Sequence, residues 1–254
     1  MASYLVTGAS RGLGFEMVRQ LASLPTSEVS QVFATARGDA PALQELVQNS
    51  SGRVVIVKLD STNEASVKQA ATAVGAALSG KGLDVLINNA GVMPYSPEGV
   101  VTMDNLESTL STNVVGVHRV TQAFFPLLKK SNLKKVANIT STYGSNALAP
   151  IYMITPSPAY KISKAALNHL TVQYALDYEK DGFTFFAISP GWLRTELGGD
   201  WADLSVEEGT KATLDKIIGA GKEQNGQFLN IHVKGWETVP EGKLNHYDGK
   251  NAPW

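Results

Sequence analysis

A tyrosine is followed four residues on by a lysine in "YKISK", as Tyr160 and Lys164, and of the eight tyrosines only Tyr160 has a lysine at i+4. On a helix this spacing puts both side chains on one face. A phenol with a reference pKa of about 10 is a poor acid–base catalyst at neutral pH. A cation beside it favours the phenolate and lowers that value. Bringing it near neutrality takes roughly 4 kcal/mol of preferential stabilisation. Taken alone, one such pair among eight tyrosines is weak evidence.

A second chemical feature lies near the start, in "TGASRGLG", Thr7 to Gly14. It follows an apolar run and opens a helical pattern, the context that gives closely spaced glycines meaning. Gly8 allows a sharp turn, Gly12 a close approach of backbone to pyrophosphate, and Gly14 tight packing of helix on strand. Free N–H groups and the helix dipole then favour an anion among Gly8, Ser10, Arg11, Gly12, Leu13 and Gly14. The bland alternative is a glycine-rich turn. No G-K-[ST] follows, which excludes a P-loop. At the end of the second apolar run, "ATARGD", Ala36 stands where an acid would bind a ribose 2′-hydroxyl, and Arg37 follows. Arg37 and Arg11 could flank a 2′-phosphate, a geometry guanidinium groups suit. This favours NADP(H) over NAD(H). Two solvated surface arginines are the alternative, and Asp39 weakens the signal.

These residues need elements to hold them. Seven apolar runs read as strands: "SYLVTG", "QVFATAR", "RVVIVKLD", "LDVLINNAG" with Asp84 opening it, "KKVANITS", "FTFFAISPG" and "GQFLNIHV". Helical patterns follow the first strand at Leu13, Met17, Leu21 and Leu24, then recur over 65–78, 106–128 and 159–181. Ser157 is a candidate cap for the last, with Pro158 at its first position. The first six strands are nearly continuous apolar runs, as in a parallel sheet covered on both faces. The expected fold is α/β, one Rossmann-type doubly wound parallel sheet of about seven strands with helices on both faces. Residues 1–254 read as a single dinucleotide-binding and catalytic domain. Loops rich in proline or glycine at 93–99, 149–158 and 198–199 fall where such folds bind ligands. The segment from Lys234 is polar and aromatic, with packing that cannot be read from the pattern.

Composition narrows the classes. With 43% hydrophobic and 18% charged residues the chain is globular, and a net charge of −1 gives no electrostatic case for nucleic acid. The absence of cysteine excludes disulfides, zinc–thiolate sites and a thiol nucleophile, and suits a reducing compartment. His118, His169, His232 and His246 have no metal-ligand spacing, so no metal is expected. No apolar run reaches the roughly 18 residues of a membrane helix, and no secretory signal is visible. A cytoplasmic protein without membrane partners is expected. No G-x-S-x-G elbow supports a hydrolase.

Taken together the motifs resemble the short-chain dehydrogenase/reductase family over nearly the full length. "TGASRGLG" matches its cofactor loop, and "NNAG" at Asn88–Gly91 the stretch after strand four. Asn113, Ser141 in "NITSTYGS", "YKISK" and "PGWLRT" at Pro190–Thr195 complete six motifs in order. The "VFATAR" stretch and the ending "YDGKNAPW" look further like the C-factor/Sniffer-like branch, often seen in carbonyl reductases.

The resemblance implies an NADPH-dependent carbonyl reductase that turns a ketone or aldehyde into an alcohol. It implies Tyr160 as general acid and Ser141 as donor to the carbonyl oxygen. Lys164 would lower the tyrosine pKa and hold the nicotinamide ribose, and Asn113 would order a water leading from Lys164 to solvent. Asp60 would meet the adenine, and Asn89, Ala90 and Gly91 the adenosine ribose. Pro190, Gly191, Leu193 and Thr195 would line the nicotinamide side. It also favours a homodimer or homotetramer packed through the helices over 106–128 and 159–181. One departure from the family stands out: Ser141 and Tyr160 lie further apart than in many members. Thr140, Thr142 and Ser145 are rival hydroxyls. The apolar insert between them, with Trp192–Leu204, suggests a fairly hydrophobic small-molecule carbonyl, and Trp192 could line the pocket or only pack. A non-catalytic NADP(H)-sensing or scaffold protein on the same fold is the rival class, and the direction of reaction is open.

Overall fold

The computed structural model describes residues 1–254. Seven strands form one parallel sheet: β1 (Ala2–Val6), β2 (Val29–Ala36), β3 (Val54–Lys58), β4 (Val85–Asn88), β5 (Lys135–Ile139), β6 (Thr184–Ser189) and β7 (Phe228–Asn230), in the order β3-β2-β1-β4-β5-β6-β7. Every residue of β1, β4, β5 and β6 is buried, as the unbroken apolar runs require of strands covered on both faces.

Strand alternation sorts the core into two layers. Val6, Ile87, Ala137, Phe186 and Ile188 point to one face. There they meet Met17 and Leu21 of α1 (Gly12–Ser23), Leu43 of α2 (Pro41–Gln48) and Leu214 and Ile217 of α7 (Val206–Gly219). Their neighbours Leu5, Leu86, Val136 and Phe185 point to the other. That layer is closed by Val67 and Val74 of α3 (Glu64–Ala77), Val120 and Phe124 of α5 (Gly116–Lys129) and Ala175 of α6 (Pro158–Tyr178).

The chain winds outward through β1, β2 and β3, then returns to place β4 beside β1. At this reversal the loops after β1 and β4 diverge to opposite faces and leave a crevice, the ligand position of doubly wound sheets. Thr7 fixes its rim: its hydroxyl accepts the N–H groups of Asn89 at 2.9 Å and Ala90 at 3.0 Å.

The structure departs from the sequence expectations in three places and adds the course of the C-terminal segment. The helical pattern over 106–128 is three pieces: α4 (Leu106–Leu110), a π turn over Ser111–Val115, and α5. Helices α2 and α7 were not expected; α7 carries a legible start, since the Ser205 hydroxyl accepts from Glu208 N–H at 3.1 Å in an S-x-x-E pattern. Ser157 holds the N-cap position of α6, with Pro158 in the first turn, but its side chain caps nothing and its buried hydroxyl has no partner. The C-terminal segment returns antiparallel along the β7 side, with Asn251 opposite Leu229 and Asp248 opposite His232.

Asp84 ties the opposite end of the sheet. Its carboxylate accepts from the N–H and hydroxyl of Ser3, at 2.8 and 2.9 Å, and from the hydroxyl of Ser131 at 2.5 Å. Asp84→Ala should therefore lower the unfolding free energy in urea by about 2 kcal/mol. Adding Ser131→Ala to that variant should cost little more, because its partner is already gone.

Candidate active site

Helix α6 brings the acid–base pair into place. Tyr160 lies in its first turn and Lys164 one turn on, 8% and 4% exposed. The Lys164 ammonium sits 5.5 Å from the centre of the Tyr160 ring. It donates to the carbonyl of Ile139, the last residue of β5, at 2.8 Å. This joint depends on close packing: a Cβ on Gly144 would stand 2.6 Å from the carbonyl carbon of Lys164.

Burial decides the protonation of both groups. The Tyr160 phenol is pushed up to about 12 by burial, against a hydrogen bond with Ser141 that works downward. Burial pushes Lys164 down to about 8. In the protein alone burial outweighs the Ser141 hydrogen bond, and Lys164 is not among the groups that shift Tyr160.

Ser141 is the hydroxyl that meets Tyr160. It starts the short turn Thr142–Gly144 and accepts the N–H of Tyr143 at 3.2 Å. Two rivals are committed elsewhere. Thr140 donates to Asn168 Oδ1 at 2.7 Å, and Ser145 accepts from Leu148 N–H at 3.1 Å. The third, Thr142, lies near the Tyr152 hydroxyl and works against the rise that burial gives its pKa.

Asn113 lies in the π turn, fully buried. Its amide exchanges two hydrogen bonds with the main chain of Val92, both at 2.9 Å, and donates to Ser163 Oγ at 2.9 Å. Ser163 in turn donates to the carbonyl of Tyr160 at 2.7 Å. Asn113 therefore couples the loop after β4 to the first turn of α6. Both its amide donors are spent, so a water leading to Lys164 has only the main chain of the π turn and one Oδ1 lone pair to use. Gly91 closes this corner: a Cβ there would lie 3.3 Å from Asn113 Oδ1 and 3.8 Å from Lys164 Nζ.

The glycine loop meets the demands of a pyrophosphate. Gly8 has φ +67°, and a Cβ there would stand 2.9 Å from the Cα of Ala90. A Cβ on Gly14 would collide with the carbonyl of Gly8. Asn89 braces the turn, donating to the carbonyls of Thr7 at 2.8 Å and Gly8 at 3.2 Å. No side chain caps α1, so its first-turn N–H groups face the crevice edge that Ser10, Gly12 and Leu13 form. Gly12 also approaches Thr195 of the loop after β6, at 3.6 Å from its would-be Cβ. Thr195 ties that loop by accepting from Gly198 N–H at 3.1 Å. Leu193 is buried and pairs with Leu204, following Pro190 and Gly191.

The two arginines part company. Arg11 pairs with Glu196 at 2.8 Å, with both side chains 71% exposed, whereas Arg37 is exposed at the end of β2. Asp60 accepts from the hydroxyl and N–H of Thr62, which hold its carboxyl below the usual range, and Arg37 and Arg119 add to this. Arg37 is thus near enough to Asp60 for its charge to be felt there, and Arg11 bridges the glycine loop to the loop after β6.

Three residues of this site escaped the sequence reading. The Tyr143 ring stands edge-on to Tyr160 at 6.2 Å, and the Tyr152 ring packs on Tyr143 at 4.5 Å. Lys161 holds the insert by donating to the carbonyls of Tyr152 at 2.6 Å and Thr155 at 2.9 Å. Irregular backbone gives no periodicity to betray such contacts. The adjacency of Lys161 to Tyr160 was the one available signal.

A family model for the short chain dehydrogenases matches residues 3–204. The chain belongs to the short-chain dehydrogenase/reductase family. It is 33% identical over 176 residues to C-signal of Myxococcus xanthus, covering 68% of this chain and 93% of that one. Among solved structures it resembles an NADPH-bound carbonyl reductase from chicken fatty liver, at 33% identity, TM-score 0.85, and 100% and 99% coverage. It also resembles the carbonyl reductase Sniffer of D. melanogaster, at 30% identity, TM-score 0.86, with both chains covered in full. These matches set it in the C-factor/Sniffer-like branch of the family.

The buried ammonium makes a testable cost. Its pKa is about 8 in the folded chain and about 10.4 in an unfolded one. The unfolded state therefore holds the proton more tightly, and the destabilisation is complete below about pH 8 and relieved as pH rises. Between pH 8 and 9.5 the wild type should gain about 2 kcal/mol relative to Lys164→Met in urea unfolding. The raised pKa of Tyr160 acts only above its unfolded value of about 10, outside that window.

Proposed function

We propose that this short-chain dehydrogenase/reductase is an NADPH-dependent carbonyl reductase. The observation that carries the reading is the cluster of buried Tyr160 and Lys164 with half-buried Ser141, beside the glycine loop at the sheet's crevice. Gly8, Gly14 and the uncapped start of α1 fit a pyrophosphate. Arg37, with no acid at Ala36, fits a 2′-phosphate beyond β2. The NADPH-bound chicken enzyme supports the same choice. Asp60 would meet the adenine, Asn89, Ala90 and Gly91 the adenosine ribose, and Leu193 and Thr195 the carboxamide. Arg11, in the glycine loop and paired with Glu196, would border the phosphates.

When bound, NADPH supplies the hydride that the carbonyl carbon receives. The chain's own residues handle the oxygen. Tyr160, protonated across the neutral range because burial raises its pKa, donates a proton to the developing alkoxide. Ser141 donates a hydrogen bond to the same oxygen and stabilises its charge. Lys164, an ammonium below about pH 8, offsets the negative charge left on the phenolate. Asn113 fixes the corner between the loop after β4 and α6, so that Lys164 and Tyr160 keep their spacing.

The substrate is a neutral, apolar carbonyl compound. Tyr95, Met153, Ile154, Trp192 and Trp201 are exposed in the loops that follow β4, β5 and β6. The nearby cations are already occupied: Lys161 by two carbonyls, Arg194 by the carbonyls of Ala202 and Asp203. The reaction belongs in the cytoplasm. Val115, Ile162 and Leu176, exposed on or beside α5 and α6, support packing of two or four copies through these helices.

Steady-state reduction of a carbonyl panel checks the acid. Tyr160→Phe should lower kcat/KM about a thousandfold while leaving NADPH binding, followed by fluorescence, unchanged; full activity would refute the assignment. Arg37→Ala should raise KM for NADPH about tenfold or more, the worth of a charge-assisted hydrogen bond, and leave KM for NADH unchanged. A preference for NADH in the wild type would overturn the phosphate reading.

A further inference from the structure

One buried carboxylate has no part in the chemistry above. The Asp203 side chain is 1% exposed and lies in the loop after β6, far along the chain from the groups that meet it. Its Oδ2 accepts from the hydroxyl of Tyr247 and the amide of Asn245, both at 2.7 Å. Lys243 stands 3.3 Å from Oδ1. All three partners come from the C-terminal segment.

Each of these partners reaches onward. The Tyr247 hydroxyl accepts the N–H of Trp192 at 3.1 Å, and Asn245 Oδ1 accepts the hydroxyl of Tyr152 at 3.0 Å. One chain of hydrogen bonds thus runs from the insert after β5, through the C-terminal segment, to the start of the loop after β6. Both of its ends lie against the site. Tyr152 packs on Tyr143, which is edge-on to Tyr160, and Trp192 follows Gly191 directly. The Tyr247 ring is seated against that glycine, 3.1 Å from where a Cβ would be.

A buried carboxylate is expensive to desolvate and is repaid only by well-placed donors, so such a network adds little net stability. What it fixes is position. The C-terminal segment does not need it to stay attached: Val233 N–H donates to Tyr247, Asn230 N–H to Lys250 and Ala252 N–H to Phe228 along the main chain. The side-chain network is then free to set how far Tyr152 and Trp192 stand apart.

We infer that Lys243–Tyr247 is a clasp closed on Asp203, which presets the width of the substrate wall and makes Asp203, Asn245 and Tyr247 specificity-determining positioning residues. The inference rests on the carbonyl-reductase reading for its substrate, though not for its geometry. An open clasp lets the two walls move independently. A bulky carbonyl that touches both walls loses binding, and a small one that touches only Tyr160 and Ser141 does not.

The test compares wild type, Tyr247→Phe and Asp203→Asn with 2-acetylnaphthalene and with butanal. In both variants kcat/KM for the aryl ketone should fall about tenfold through KM, the worth of one to two kcal/mol of lost wall contact. The values for butanal should not change. Equal losses for both carbonyls, or no loss, would overturn the clasp. Hydrogen exchange followed by mass spectrometry gives a reading without substrate. Tyr247→Phe should speed exchange over 150–156 and 192–204 together and leave β1 and β4 as they were. Faster exchange in one segment only, or in neither, would also overturn it. A wild type that reduces neither carbonyl would sink the proposed function, and the exchange result would still decide the clasp.

Discussion

The site depends on an ammonium group held out of water. Lys164 is nearly enclosed, its Nζ bound to the end of β5 and set beside the Tyr160 ring. A charge in such a place is costly, and the surrounding packing is what keeps it there. Gly144 lets the turn after β5 lie flat on α6, Gly91 leaves room beside Nζ, and Asn113 anchors the loop that closes the corner. The same dryness that depresses the lysine raises the tyrosine, so one environment sets both protonation states in the sense that suits proton donation.

Beneath this corner runs a buried polar ladder through the sheet. Asn88 donates to Thr121 and Asn138, Asn138 to Thr171, and Thr140 to Asn168, which donates to the carbonyl of Gly144. Each amide is satisfied by a hydroxyl or another amide, which avoids the penalty of unpaired polar groups in a core. These contacts fix α5 and α6 against β4 and β5 with a specificity that apolar packing alone lacks. Ser141 follows Thr140 directly, so its position is set by this ladder rather than by the loop that comes after it.

The strands were legible because burial on both faces leaves no room for polar alternation. "SYLV", "VLIN" and "TFFAIS" could be little else. Tyr160 and Lys164 were legible because a helix converts a spacing of four into proximity. Ser141 was legible by its place after β5, and the structure adds why Thr140 and Ser145 cannot replace it. Helix α2 was too short, and α7 too mixed in composition, to declare a face. The long pattern over 106–128 hid its π turn, because one extra residue in a turn leaves the apolar recurrence almost intact. The charge reading of "YKISK" supplied the attraction between the groups but not the surrounding dielectric, which no local pattern encodes. The partners of Asp203 were beyond reach for a related reason: Tyr152, Asn245 and Tyr247 lie in irregular backbone, where sequence separation says nothing of distance.

The π turn over Ser111–Val115 has a consequence for how this chain can vary. A regular α-helix would have better main-chain geometry there, so the wide turn persists against local preference. Its extra residue swings Asn113 toward Val92 and Ser163 while α4 and α5 keep their own faces. Shortening the segment by a single residue would mend the helix and aim a different side chain at that corner. Length, at this point, is as much a part of the active centre as residue identity, and a chain can lose the centre here without a single substitution.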